Sequence, residues 1–315
     1  ENYKKILTNF ISLDINETIK QSTKILFVYT SITFGLFLIY KFINLRAFDA
    51  FNLSLTIISS GGFLIVNNIS EILQTNFQIY VFSLTMLISF FGILLPYNIL
   101  FLKKKDLLVF TEDFYLLVYF IFLFGFFFIF FNNDNNFSVT LFSLISSISN
   151  IGISFDYYTQ NNFIFLILVI VGGSLVSTSS GLRFFKIYLL TKFSFNELVS
   201  HSKPKHILLN KVLFSKVKID INDINKYFFT VIIFIISLCL LVALLTLFNI
   251  NFDNAFKLGV LTLMNTVNSN LYSLESINFI EFAYPLKFIL ILFMIIGRIE
   301  FISILILIKK FVFKN

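Results

Sequence analysis

Three times along this chain a long apolar run gives way to a short one, then to a loop of small polar residues, then to a second long run. The long runs lie at about Ile25–Ile43, Phe77–Leu102, Phe114–Phe131, Phe163–Leu190, Tyr227–Asn249 and Pro285–Val312. A helix needs roughly 20 apolar residues to cross the hydrocarbon, so these runs read as membrane spans. The short pieces, Phe48–Ile58, Phe137–Ile148 and Phe252–Met264, are too short to cross and read as re-entrant helices. With 57% hydrophobic residues, 13% charged and a mean hydropathy of +0.89, the expected fold class is all-α integral membrane, built of repeated membrane helix–pore helix–membrane helix units.

The expected division is a cytoplasmic lead-in at 1–24, pore repeats at 25–105, 106–192 and 227–315, and a basic cytoplasmic linker at 193–226. The repeat shows in single residues too. Phe48-Asp49-Ala50-Phe51 resembles Phe252-Asp253-Asn254-Ala255-Phe256, and Asn136-Phe137-Ser138 fills the corresponding place. Asp and Asn are good N-caps, so each short helix is expected to start at that polar residue. A period of roughly 100 residues made of span, short helix, loop and span is the mark of a membrane-transport repeat rather than a solenoid.

Basic residues set the expected topology. Lys103–Lys105, the lysines of 183–226, and Lys309, Lys310 and Lys314 fall on one side, read as cytoplasmic. Segments 63–76, 153–162 and 269–284 hold no Lys or Arg but carry Glu71, Asp156, Glu275 and Glu281, and read as outside. Lys41 and Arg46 run against this trend and are expected to snorkel to the outer interface. The lone Cys239 excludes an intramolecular disulfide and a cysteine metal site. His201 and His206 sit in the basic linker and read as solvated. The chain opens on Glu1 with neither Met nor signal peptide, which is compatible with a fragment.

A re-entrant helix ends partway into the membrane, where its dipole presents about half a negative charge. Several such ends converging on one axis favour a cation, and the loop beyond each can offer carbonyls in place of water. Glycine suits such loops because inward-facing carbonyls demand backbone angles that a Cβ resists. Gly62 and Gly152 stand in that position after the first two short helices, and Asn268 after the third. The stretch Val169–Leu190 begins as a span and is then interrupted by Gly172-Gly173 and the small polar run Ser174 to Gly181. Backbone that leaves the helix within a bilayer is tolerated only where protein or a watery cavity receives it. Both a turn between two helices and a mobile intramembrane loop fit this stretch, and Ser177 and Thr178, between Gly173 and Gly181, favour the loop. Arg298, inside the last apolar run, carries a charge that costs at least a few kcal/mol there, so it is paired or functional. Glu300, two residues on, faces another way on a helix. Arg183 and Lys186 read equally well as helix-end anchors or as part of a gate.

These residues carry a family resemblance. The chain resembles the Trk/Ktr superfamily of potassium transporters, and the Trk-type membrane subunit in particular. Ile58-Ser59-Ser60-Gly61-Gly62-Phe63 looks like that family's second filter loop and Ser149-Asn150-Ile151-Gly152-Ile153 like its third. Gly172 to Arg183 is similar to its intramembrane gating loop, and Gly297-Arg298-Ile299-Glu300 to the signature of its last helix, whose arginine projects into the pore. The resemblance implies four quarters around one axis, of which the second, third and fourth are visible and the first is absent. It also implies K⁺ coordinated at Ser60, Gly61, Gly62, Asn150, Ile151, Gly152, Val267 and Asn268. The gate it implies comprises Gly172, Gly173, Ser174, Ser177, Thr178, Gly181 and Arg298. No enzymatic chemistry and no organic cofactor are expected. Implied partners are membrane lipid, a second copy in a homodimer, a cytosolic nucleotide-binding regulatory subunit, and a separate polypeptide supplying the first quarter. The implied location is the inner membrane of a bacterium, filter loops outside, linker and C-terminus inside. Asn268-Ser269-Asn270 replaces the usual Gly-Pro-Gly, and Asn150-Ile151 the usual Thr pair. Two other readings stay open: a non-conducting truncated remnant, and a secondary carrier for another solute. The absence of acidic residues within the apolar helices argues against proton-coupled carriage.

Overall fold

A computed structural model describes residues 18–66, 68–91, 107–131, 137–155, 162–175, 177–202, 221–267, 270–272, 274, 279 and 282–298. Lys103–Lys105, the Asn132–Asn136 turn, Asp156, Asn268, Glu275, Glu281, Glu300 and the C-terminal lysines lie outside the described residues. Secondary structure within them is helical throughout. The first unit comprises α1 (Thr18–Phe42), α2 (Ala47–Ser59) and α3 (Asn76–Phe90). The second comprises α4 (Leu107–Phe131), α5 (Phe137–Ile148) and α6 (Asn162–Val171), continued after a break by α7 (Phe184–Ser202). The third comprises α8 (Ile221–Leu247), α9 (Phe252–Leu263) and α10 (Tyr284–Arg298). Single-turn 3₁₀ helices at Ile69–Glu71 and Asn270–Tyr272 lie between the short helices and the spans that follow.

The stretches Thr23–Phe42 and Ile224–Leu247 are long and apolar enough to cross a bilayer, with 20 and 24 residues. Their outward faces are themselves apolar: Leu26, Phe27 and Phe34 on α1, and Ile235, Ile236 and Leu240 on α8, are all exposed. On α4, Ile121, Phe122 and Ile129 continue the same kind of surface. Apolar cover of this extent suits lipid and would drive association in water.

The short helices are buried, and α5 most completely, with Ser138 to Ile148 enclosed except at the half-buried Leu141. An aromatic row binds the first unit to the second: Tyr40 lies 5.7 Å from Phe82, Phe82 stacks on Phe142 at 5.8 Å, and Phe142 meets Phe155 edge-on at 4.9 Å. The Tyr40 hydroxyl shares a 2.6 Å hydrogen bond with Thr85, so its polar end is satisfied inside the apolar layer. The first and second units join mainly through α3 and α5. The second and third join through α6, α7, α8, α9 and the Asn270–Tyr272 turn. Among the described residues the first and third units have no comparable helix packing; they meet at loops and at Arg298.

The short helices start within a residue of the expected positions, but two of the expected caps do not cap. Helix α2 begins at Ala47 with Arg46 at its N-cap, and Asp49 falls inside the first turn, nearly buried. Asp49 favours the helix through the N-terminal dipole, and Arg46 lies 3.9 Å from it, but no side chain caps the helix. In α9 the N-cap is Asn251, without a side-chain cap bond, and Asp253 pairs at 2.7 Å with Lys257 one turn on. Helix α7 continues to Ser202 and α8 starts at Ile221, so both helices enter the stretch read as linker. Apolarity limits a span, but helix formation continues as long as the backbone finds its own partners.

The helix of the second span ends before the apolar run does, and residues 92–102 lie outside the described residues. Expected as one helix over Phe77–Leu102, it ends at Phe90, with Phe91 in extended conformation. Its start is fixed by a capping box between Thr75 and Gln78. The carbonyls freed at its other end become part of the site.

Candidate functional site

Each short helix ends in the same way. Ser60, Asn150 and Asn265 adopt left-handed backbone, with φ of 47°, 58° and 50°. The N–H of each bonds three residues back, to Ile57, Ser147 and Thr262, and the next N–H bonds five residues back, to Thr56, Ser146 and Leu261. These are Schellman closures, and they reverse the chain at the negative end of the helix dipole. Two residues beyond the left-handed position come Gly62 (φ 68°), Gly152 (φ 80°) and Val267. That register puts Val267, one residue before the expected Asn268, in the place of the glycines.

The three loops are brought together. A Cβ on Gly62 would collide with the Ile151 carbonyl oxygen and lie 2.6 Å from Val267 Cγ2. A Cβ on Gly152 would collide with the Val267 carbonyl oxygen and lie 2.7 Å from Thr266 Cγ2. Glycine is required at both positions twice over, by φ and by space. Two loops are further tied by hydroxyls that sequence reading did not single out. Thr56 Oγ1 donates to Phe63 O and Ser146 Oγ to Ile153 O, both at 2.7 Å and both spanning seven residues. The equivalent residue of the third unit is Leu261, which has no hydroxyl to offer.

Beside these ends lies the expected break. Helix α6 stops at Val171, residues 172–175 and 177–183 lie outside any helix, and α7 begins at Phe184. The excursion is an Ω-loop with a closed neck. Leu182 N donates to Ile170 O at 3.0 Å and Phe184 N to Gly173 O at 3.1 Å. Gly172 and Gly181 meet across the neck, where a Cβ on Gly181 would fall 2.8 Å from Gly172 Cα. The loop's own amides find partners at the end of α3: Ser174 N donates to Phe90 O at 3.0 Å and Ser179 N to Ser89 O at 3.3 Å. The end of α3 and the loop between α6 and α7 thus satisfy one another's backbone, which permits both departures from the helix within an apolar surround.

Arg183 does not reach for an interface. It takes left-handed backbone (φ 70°) and turns its Nη1 into the loop, donating to the carbonyls of Ser174, Ser177 and Ser179 and to Ser177 Oγ. Lys186 is 5% exposed, so it too is no snorkelling anchor. Arg298 bridges the loop and the first short helix. Its Nη1 donates to Thr178 O at 3.0 Å and Ser180 Oγ at 3.2 Å, and its Nη2 to Ser59 O at 3.3 Å. Ser60 Oγ reaches the same Thr178 carbonyl at 2.7 Å. The preceding Gly297 lets α10 lie against the Leu263 carbonyl at the end of α9. Ser180, Gly181, Arg183, Lys186, Gly297 and Arg298 share a cavity of about 40 Å³, room for a few water molecules.

Glu112 corrects the expectation that the apolar helices hold no acid. It lies within α4, is 5% exposed, and accepts the Leu175 N–H at 2.6 Å. Its place just before the apolar run at Phe114 hid it, because the helix begins seven residues before that run.

The arrangement brings three carbonyl-rich helix ends together beside a loop that one arginine ties to the first of them. Such a fold is that of a polytopic helical membrane protein made of membrane–pore–membrane units around an axis. Of solved structures, the potassium transporter TrkH from Vibrio parahaemolyticus shares this fold, with a TM-score of 0.80 over 92% of this chain and 18% sequence identity. The chain spans 64% of the length of that structure. No protein-family model matches the chain, and no curated protein matches it by sequence.

Proposed function

We propose that this chain lines the ion path of a potassium uptake system in the inner membrane of a bacterium. The observation that carries the reading is the meeting of three left-handed helix ends at Gly62, Gly152 and Val267, with Arg298 joining the first of them to the Gly172–Gly181 loop. Carbonyls around Ser60–Gly62, Asn150–Gly152 and Val267–Asn268 would coordinate dehydrated K⁺, favoured by the helix dipoles. The loop obstructs the path, and the Arg298 guanidinium adds an electrostatic barrier to a cation leaving the filter. The basic segment 193–226 faces the cytoplasm and offers a contact for a nucleotide-binding regulatory subunit, and the assembly is a homodimer.

Among the described residues the first and third units join loosely, which favours a fourth unit completing the ring, supplied by sequence beyond these residues or by another polypeptide. The same junction, left unfilled, supports the second reading, a non-conducting form, since an open ring of carbonyls cannot replace a hydration shell on every side. Rb⁺ uptake in a potassium-uptake-deficient strain and in liposomes separates the two. Uptake above the empty-membrane level is expected once the fourth unit is present, and Arg298→Ala should raise it. No flux under either condition would sink the transport reading.

A further inference from the structure

Glu112 is a buried carboxylate for which the proposed ion path has no use. A charge enclosed within an apolar helix is costly unless it is held by strong partners. One partner is backbone: Oε1 accepts the Leu175 N–H at 2.6 Å. The same peptide group is held at its other pole, because the Ser174 carbonyl accepts from Arg183 Nη1 at 3.1 Å. The Ser174–Leu175 amide is therefore gripped between a carboxylate on α4 and a guanidinium at the root of α7. Its plane can neither flip nor slide while both hold. Arg183 belongs to the loop's own segment and moves with it, whereas Glu112 belongs to a different helix and fixes the loop relative to the bundle.

We infer that Glu112 is a positioning residue for the intramembrane loop, holding the Ser174–Leu175 peptide so that the loop stays seated beneath the filter. The inference rests on the proposed function only for its consequence in flux; the seating itself is a property of the fold. Loss of the carboxylate leaves the Ser174 carbonyl held within the loop by Ser177 and Arg183 but removes the tie of the Leu175 N–H to α4, and so shifts the loop toward an unseated state.

The test uses the full chain in liposomes, with Cys239→Ser and a reporter Leu175→Cys, which leaves the backbone N–H in place. Maleimide labelling of the reporter and Rb⁺ flux are read on the same samples. Glu112→Leu should speed labelling roughly tenfold or more, the equivalent of one charge-assisted hydrogen bond. Glu112→Gln, which keeps an acceptor but loses its charge, should speed it by roughly threefold. Flux should rise in the same order. Labelling within twofold of the parent in both variants overturns the inference, as does equal acceleration in both, since Gln can still accept the bond. If Glu112→Leu does not fold, Glu112→Gln is judged by the same twofold limit. Faster labelling with no flux in any sample, parent included, leaves the positioning role standing and removes the transport reading instead.

Discussion

Gly297 is the tightest point of the last helix, and filling it should unseat Arg298 without touching the guanidinium. A Cβ there would overlap the Leu263 carbonyl oxygen and stand 2.8 Å from its carbon and 3.1 Å from Leu263 Cα. All three are backbone atoms, so no rotamer relieves the clash. Ordinary contact begins at 3.4 Å, so clearing the carbon at 2.8 Å alone requires α10 to withdraw by at least about 0.6 Å, and clearing the oxygen requires more. A withdrawal of that size can stretch the 3.3 Å bond to Ser59 O to about 3.9 Å and the 3.0 Å bond to Thr178 O to about 3.6 Å. Both then lie beyond hydrogen-bonding reach, at about 1.5–3 kcal/mol for each bond to a charged group. Overpacking adds a cost of about 1–3 kcal/mol to the fold. Gly297→Ala in liposomes should therefore lower the melting temperature and raise Rb⁺ flux. In an Arg298→Ala background the flux increase should vanish, because both changes break the same contacts. Gly35→Ala and Gly125→Ala are the controls, since a Cβ at either meets nothing within 4 Å. Gly297→Ala indistinguishable from these controls in both melting temperature and flux would refute the reasoning.

Two further outcomes follow from the glycines. Gly62→Ala should abolish selective Rb⁺ uptake while Gly61→Ala largely preserves it. At Gly62 the new Cβ meets backbone and a left-handed φ, whereas at Gly61 its nearest neighbours are the side chains of Ser59, at 3.0 Å, and Phe63. Equal uptake by the two variants would sink that distinction. At the neck, Gly172→Ala and Gly181→Ala should each open the loop to proteolysis or cysteine labelling. Because they spoil one shared contact, the double variant should add little to either single one, and full additivity would show that the neck is not closed as described.

The spans, the short helices and the broken helix were legible because each has a one-dimensional signature: apolar length, a left-handed residue, a pair of glycines. Ser60 to Gly62 and Asn150 to Gly152 could be aligned by eye for the same reason. What escaped were features defined by a partner. The end of α3 at Phe90 lies inside an apolar run, and its freed carbonyls are intelligible only beside Ser174 and Ser179. Glu112 stood outside the apolar run by composition and inside the helix by geometry. Arg183 was readable as an anchor because sequence shows the interface nearby and not the carbonyls that surround the side chain. The third loop was misregistered by one residue because no glycine marks it.

That third loop shows how the units depend on one another. Helix starts and left-handed ends recur at fixed offsets: Ala47, Phe137 and Phe252 begin the short helices, and Ser60, Asn150 and Asn265 close them. The first and third units also share the left-handed residues Asn44 and Asn249 at the ends of α1 and α8. In this frame Val267 takes the glycine's place and Leu261 takes that of the hydroxyl donors Thr56 and Ser146. The third loop thus loses both the backbone freedom and the staple of the others. It is held from outside: Asn265 Nδ2 donates to Met294 O on α10 at 3.0 Å, and the Val267 side chain and carbonyl fill the spaces that Gly62 and Gly152 leave open. The two glycines are therefore fixed by the third unit's valine as much as by their own turns. Three loops assembled this way act as one body, and a change in any of them is felt by the other two.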